Sequence, residues 1–188
     1  MASHAIAFSA EDLWNLPDDG MRHELVEGQL RTMTPAGAEH GRVTFTASVL
    51  LGVHVRTSGS GVAFGAETGF VLATDPDTVR APDAAFVSKA RADAVGRTVK
   101  FWPGPPDFAV EVVSPGDSFS EVESKAMGWV AAGATAILVL DPARGTATVY
   151  RAGGDIRIFT ASSPEGDSEI DLSDAVPDWR VAVADFFA

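Results

Sequence analysis

Apolar residues recur every three to four positions in two stretches of the chain, and every second position or continuously in several shorter ones. These are the spacings of helices and of strands. Ser9 followed by "AEDLWNLP" reads as an N-capped short helix stopping at Pro17, and "DDGM" as the turn after it. "RHELVEGQLRTMTP" reads as two short strands about the "EGQ" turn, an N-terminal hairpin with Leu25, Leu30 and Met33 as packing residues. Val43, Ala47, Leu50, Leu51 and Val55 then keep helical spacing, which predicts a helix over residues 38–57 despite its many β-branched side chains.

Three strand-like runs follow, "GVAFGAET", "GFVLAT" and "PDAAFVS", with turn signals such as "DPDT" between them. Residues 88–106 read as irregular and end in "WPGPP". "DFAVEVVS" is a near-continuous apolar run, as in a strand covered on both faces. "PGDSFSEVESKAMGWVAAG" carries the strongest helix signal: Ser118 and Glu121 have capping-box spacing, and Gly133 suits the C-terminal cap. "TAILVLDP", "GTATVYR" and "DIRIFT" read as three strands with tight turns, and Trp179, Phe186 and Phe187 of the tail as packing back on the domain. With no repeat, low-complexity segment or linker, residues 1–188 form a single domain of α/β (α+β) class around a mixed sheet.

The composition, 46% hydrophobic and 21% charged over 188 residues, is that of a globular domain with a real core. No apolar run approaches the ~20 residues that span a bilayer, and "MASHAIAFSAED" lacks the basic start and apolar centre of a signal peptide. A cytoplasmic protein without membrane partners is the expectation. The absence of cysteine removes disulfides, thiolate metal sites and cysteine nucleophiles, so a metal here must bind oxygen or imidazole. The net charge of -12 argues against a large basic surface for nucleic acid.

One residue breaks the apolar pattern: Glu111 stands in the middle of the buried run "DFAVEVVS". An unpaired carboxylate there costs several kcal/mol, so a partner is required. Asp83, in "RAPDAAFV", lies at the start of another strand, and two strand acids can converge on one divalent ion. Oxygen donors point to Mg²⁺ or Mn²⁺, which take one or two carboxylates and keep several waters. Lys125 sits one turn after Glu121 on the helix that follows Glu111's strand. If that helix folds back across the strand end, its ammonium can orient a nucleophile or stabilise phosphoryl charge.

The series "HELVEGQL", "AEHGR", "RAPDAAFV", "PDFAVEVVSPGDS", "SKAMGWVAAG" and "AILVLDPARGTATVYR" resembles the bacterial Uma-two family over residues 11–160. The resemblance implies a restriction-endonuclease-like PD-(D/E)XK fold, a mixed sheet flanked by helices, with Mg²⁺ held by acids near the sheet's centre. Carried over, Asp83 matches the family's "PD" aspartate, Glu111 its second acid and Glu24 its N-terminal acid, which contacts metal or holds the site together. Val113 stands where the wider fold has a lysine, and Lys125 on the next helix matches this family's replacement for it. The backbone carbonyl of Val112 is a further metal ligand by analogy with the wider fold. The implied function is a Mg²⁺-dependent endonuclease acting on nucleic acid, DNA above all. By analogy a homodimer would let both strands be cut.

Bland readings compete at each position. Asp83 after Pro82 can be a strand-start residue bonded to backbone, Glu111 can be paired with Arg or Lys, and Lys125 can pair with Glu121 in solvent. Glu24 can pair with Arg22 or His23. Glu67 is a further candidate as accessory ligand, expected on a strand neighbouring the site, and His40 an outside candidate at a helix start, where histidine is more often structural. Trp102, Trp129 and Trp179 read as packing residues. Two other functions compete with the nuclease: a non-catalytic binding protein on the same fold, and a metal-dependent hydrolase of a small phosphorylated substrate. A nuclease would need Arg22, Arg42, Arg56, Arg80, Arg91, Arg97 and Lys100 to line one cleft, and their scattering would favour the binding protein.

Overall fold

The structure, a computed structural model, describes residues 7–161 and 168–188. The first six residues of the N-terminal stretch read above, 1–6, lie outside it, as do 162–167. Helix α1 (Ala10–Trp14) starts at Ser9, whose hydroxyl accepts from the Asp12 amide while Asp12 accepts from the Ser9 amide. The predicted hairpin is β1 (Arg22–Val26) and β2 (Gln29–Met33), in register from Arg22 opposite Met33 to Val26 opposite Gln29. Gly28 in its turn has φ +73°, a left-handed conformation that glycine takes without a Cβ penalty. Helix α2 (Ala38–Ser58) ends at Gly59, also left-handed at φ 65°.

The runs after it form β3 (Gly61–Gly65), β4 (Phe70–Ala73), β5 (Thr78–Arg80) and β6 (Ala84–Ser88). Strand β5 was not foreseen: it is three residues long, carries one apolar side chain, Val79, and follows directly on the "DPDT" turn. Residues 88–106 are not irregular throughout, because they hold helix α3 (Lys89–Val95) and the two-residue strand β7 (Trp102–Pro103). "KARADAV" has high helix propensity but buries no residue, so it leaves no hydrophobic period to read.

The remaining elements are β8 (Phe108–Val112), α4 (Phe119–Ala131), β9 (Ala136–Asp141), β10 (Thr146–Arg151), β11 (Ile156–Thr160), β12 (Glu169–Asp171), β13 (Arg180–Ala182) and α5 (Val183–Phe187). Among the described residues the single expected sheet is three. A six-stranded sheet runs β11-β10-β9-β8-β6-β3, a five-stranded sheet extends the hairpin as β2-β1-β5-β4-β7, and β12-β13 form a small ribbon.

Strand β8 pairs parallel with β9 and antiparallel with β6, and all five of its residues are buried. Alternation then sorts its side chains. Phe108, Val110 and Val112 pack with Val43, Ala47, Leu51 and Val55 of α2, and with Trp179 and Phe186 of the tail. Ala109 faces the other layer, with Ala126 and Trp129 of α4. Glu111 shares that second face by parity.

A candidate acidic centre

The site is built where the five-stranded sheet meets β6 and β8. Glu24, in the middle of β1, is 5% exposed, and its Oε1 accepts from the Ala81 amide at 3.1 Å, which ties the hairpin to the segment leading into β6. Two residues on, Asp83 donates its amide to the Val110 carbonyl at 3.0 Å and accepts the Val112 amide on Oδ2 at 2.8 Å. This pair of bonds fixes the Asp83 carboxylate against the strand that carries Glu111. His40, in the first turn of α2, brings Nε2 to 3.4 Å from the same Asp83 oxygen.

Helix α4 completes the arrangement. The Ser118–Glu121 capping box fixes its start, and its inward face presents Lys125 and Trp129, one turn apart. Lys125 Nζ donates to Glu111 Oε2 at 2.9 Å and lies 3.6 Å from Glu24 Oε1, while Trp129 Nε1 donates to Glu111 Oε1 at 2.7 Å. The helix therefore does fold back across the strand end. Lys125 points inward rather than pairing with Glu121, whose carboxylate is spent on the Ser118 amide and hydroxyl.

Among the described residues, Glu24, Asp83 and Glu111 are the only charged side chains that are buried. Their electrostatics follow from crowding three acids around one lysine. Burial pushes the Glu111 carboxyl up to about 7; Lys125 draws it down, while Asp83 and Glu24 push it further up. Burial also raises Asp83, but the His40 bond, the Val112 amide and Lys125 outweigh it and hold the group below its ordinary value. Burial works against the Lys125 charge, yet the carboxylates of Glu111 and Glu24 raise its pKa. The hydrogen bond to Asp83 likewise raises His40 against its own burial.

The structure thus brings Glu24, Asp83, Glu111, Lys125, His40 and the backbone of Val112 to one place. Glu67 does not join them: it lies in the turn after β3 with a side chain 70% exposed, 3.4 Å from Arg22. Because the turn needs φ 71° there, the residue is carried out of the strand on which it was expected. Glu24 pairs with neither Arg22 nor His23, since Arg22 meets Glu67 and His23 meets Asp19. Trp129 is the site residue that sequence reading missed. Its four-residue spacing from Lys125 marks it only once the inward face of α4 is known to meet Glu111.

Of the seven cations that a nucleic-acid cleft would need, four are engaged by acids. Arg22 is held by Glu67, Arg42 by Glu39, Arg91 by Asp107 and Lys100 by Glu11, on four separate segments.

Comparison with protein families matches residues 10–184 to the Uma2 family, whose description reads "Putative restriction endonuclease". Comparison with curated proteins gives no match. Among solved structures, the chain is similar to "a putative nuclease belonging to DUF820 from Anabaena variabilis ATCC 29413", with 18% identity and a TM-score of 0.80. The likeness covers 96% of this chain and 97% of that one, which establishes the shared fold.

Proposed function

Because the chain belongs to the Uma2 family, we propose that it is a metal-dependent endonuclease hydrolysing phosphodiester bonds of nucleic acid, with DNA the expected substrate. The observation that supports this most is the charge imbalance of the centre. Three carboxylates are withdrawn from water, and the cations in contact with them are Lys125 and His40. A divalent ion would offset the remainder.

The donor set fits a hard cation. Asp83 and Glu111 supply carboxylate oxygens and the Val112 carbonyl a third ligand, which suits Mg²⁺ or Mn²⁺. Among the described residues no three His, Cys, Asp or Glu side chains are grouped to hold a metal by themselves. Mg²⁺ does not need such a cage, because it takes one or two carboxylates and retains water. When bound, the ion supplies Lewis-acid stabilisation of phosphoryl charge and lowers the pKa of water.

The protein's own groups have distinct tasks. Lys125, protonated at neutral pH and 27% exposed, stabilises charge developing on the phosphoryl group. Glu24 holds that ammonium in place, the Val112 amide and His40 orient Asp83, and Trp129 orients Glu111. The test is DNA cleavage with Mg²⁺ or Mn²⁺, which should disappear in Asp83→Asn while the circular dichroism spectrum is kept. Cleavage persisting in that variant, or in excess EDTA, refutes the proposal.

A second reading, a non-catalytic binding protein on the nuclease fold, draws support from the acids that pair with Arg22, Arg42, Arg91 and Lys100. It is distinguished by nucleic-acid or protein capture that Asp83→Asn leaves intact, without cleavage by the wild type.

A further inference from the structure

Arg31 stands directly opposite Glu24 in the register of the hairpin, yet the two do not pair. The Glu24 carboxylate turns to the Ala81 amide and to Lys125 instead. On the other side of β1, the antiparallel register that sets Leu25 opposite Val79 sets Glu24 opposite Arg80. Leu25 and Val79 pack with Leu13 of α1 on one face of this sheet. By alternation Glu24, Arg31 and Arg80 share the other face, where Lys125 lies. Arg22, two residues before Glu24 on β1, shares it too.

This face therefore sets three guanidinium groups around one carboxylate that is already engaged. Arg31 is exposed on β2, the open edge of the sheet, while Arg22 and Arg80 are half-buried. Among the described residues neither Arg31 nor Arg80 forms an ion pair or a side-chain hydrogen bond. Arg22 meets Glu67 at 3.4 Å, but the Glu67 side chain is 70% exposed, and so exposed a pair is readily exchanged for another anion. Arg22 also works against the charge of His40, which places it beside the residue that holds Asp83.

We propose that Arg22, Arg31 and Arg80 bind the phosphates of a nucleic-acid strand that flank the phosphate held at the acidic centre. This rests on the endonuclease reading and deepens it, because it separates a polynucleotide from a small phosphorylated substrate. A lone phosphoryl group at Asp83, Glu111 and Lys125 would leave the arginines idle. Neighbouring strands lie about 4.8 Å apart, so Arg31 and Arg80 stand about 10 Å from one another across β1. One phosphate does not fill that span, whereas successive phosphates of one chain do. The planar guanidinium fork also matches phosphate oxygens better than an ammonium does. The net charge of -12 is a sum over the whole chain, and salt screens its exposed charges beyond about 10 Å, so a local row of three cations keeps its attraction.

Fluorescence anisotropy of a labelled DNA duplex, with Ca²⁺ in place of Mg²⁺, tests this as a function of salt. Arg31→Ala and Arg80→Ala should each reduce the slope of log affinity against log salt by about 0.9, about an 8-fold loss of affinity at about 0.1 M salt. Arg31→Lys keeps the charge and should keep the slope. Arg157→Ala, on β11 at the far edge of the six-stranded sheet, should leave both unchanged. A wild type that does not bind the duplex, or slopes unchanged in both alanine variants, overturns the proposal. Binding with the expected slopes but no cleavage in Mg²⁺ contradicts the endonuclease reading and leaves the arginine row standing. Cleavage by a wild type whose slope neither alanine variant alters does the reverse.

Discussion

Replacing Glu111 with Gln should make the metal-free protein more stable at pH 8 and leave it nearly unchanged at pH 5. Burial lifts the Glu111 carboxyl from its ordinary 4.5 to about 7 in the folded chain, so the folded state holds its proton more tightly than the unfolded state. The sign follows from linkage. Stability from this group is fully present below pH 4.5 and is lost as the pH rises through about 7. A rise of that size, at about 1.4 kcal/mol per pKa unit, amounts to about 3 kcal/mol. Gln is neutral throughout, can keep a carbonyl toward Trp129, and so escapes the loss.

For a chain of this length 3 kcal/mol corresponds to about 6–12 °C in Tm. Thermal unfolding by circular dichroism, for both proteins in EDTA from pH 5 to 8, would show the curves diverging by that amount toward pH 8. His40, whose raised pKa gives stability lost over a neighbouring window with the same sign, is present in both proteins and cancels in the difference. Parallel curves, or a variant less stable than the wild type at pH 8, would show that the Lys125 ion pair outweighs burial and would refute the reasoning.

Three further outcomes are expected. Trp129→Phe removes the donor to Glu111 Oε1 inside the core and should cost about 1–3 kcal/mol in urea unfolding, more above pH 7 than below. Lys125→Met withdraws the cation that lowers Glu111, so the midpoint of pH-dependent Trp129 fluorescence should move above about 7. Gly61→Ala drives a Cβ into the Val87 carbonyl; overpacking of this kind costs about 1–3 kcal/mol, measurable by the same unfolding assay.

The elements most legible in the sequence were those that bury a periodic face. Helix α2 announces itself through Val43, Ala47, Leu51 and Val55, and α4 through its capping box, so their observed bounds fall close to those expected. Strand β8 is legible because both its faces are covered. Helix α3, strand β5 and the β12-β13 ribbon bury few residues or none, and short exposed segments leave no pattern to read.

At the site, Glu111 was visible as a charge in an apolar run, and Asp83 and Lys125 by their places before and after that strand. Legibility failed where partnership depends on tertiary approach. That His40 meets Asp83 reflects where the first turn of α2 lands against β6, and the Trp129 indole was indistinguishable from a packing residue until Glu111 lay beneath it. Glu67 misled because a strand-like neighbourhood conceals a turn at positive φ.

Calorimetric titration of Mn²⁺ into the folded wild type, Asp83→Asn and Glu111→Gln tests most directly whether Asp83 and Glu111 form a metal centre. The expected result is one ion bound by the wild type and binding lost in both variants. No binding by the wild type at millimolar Mn²⁺, or binding that both variants retain, would contradict it.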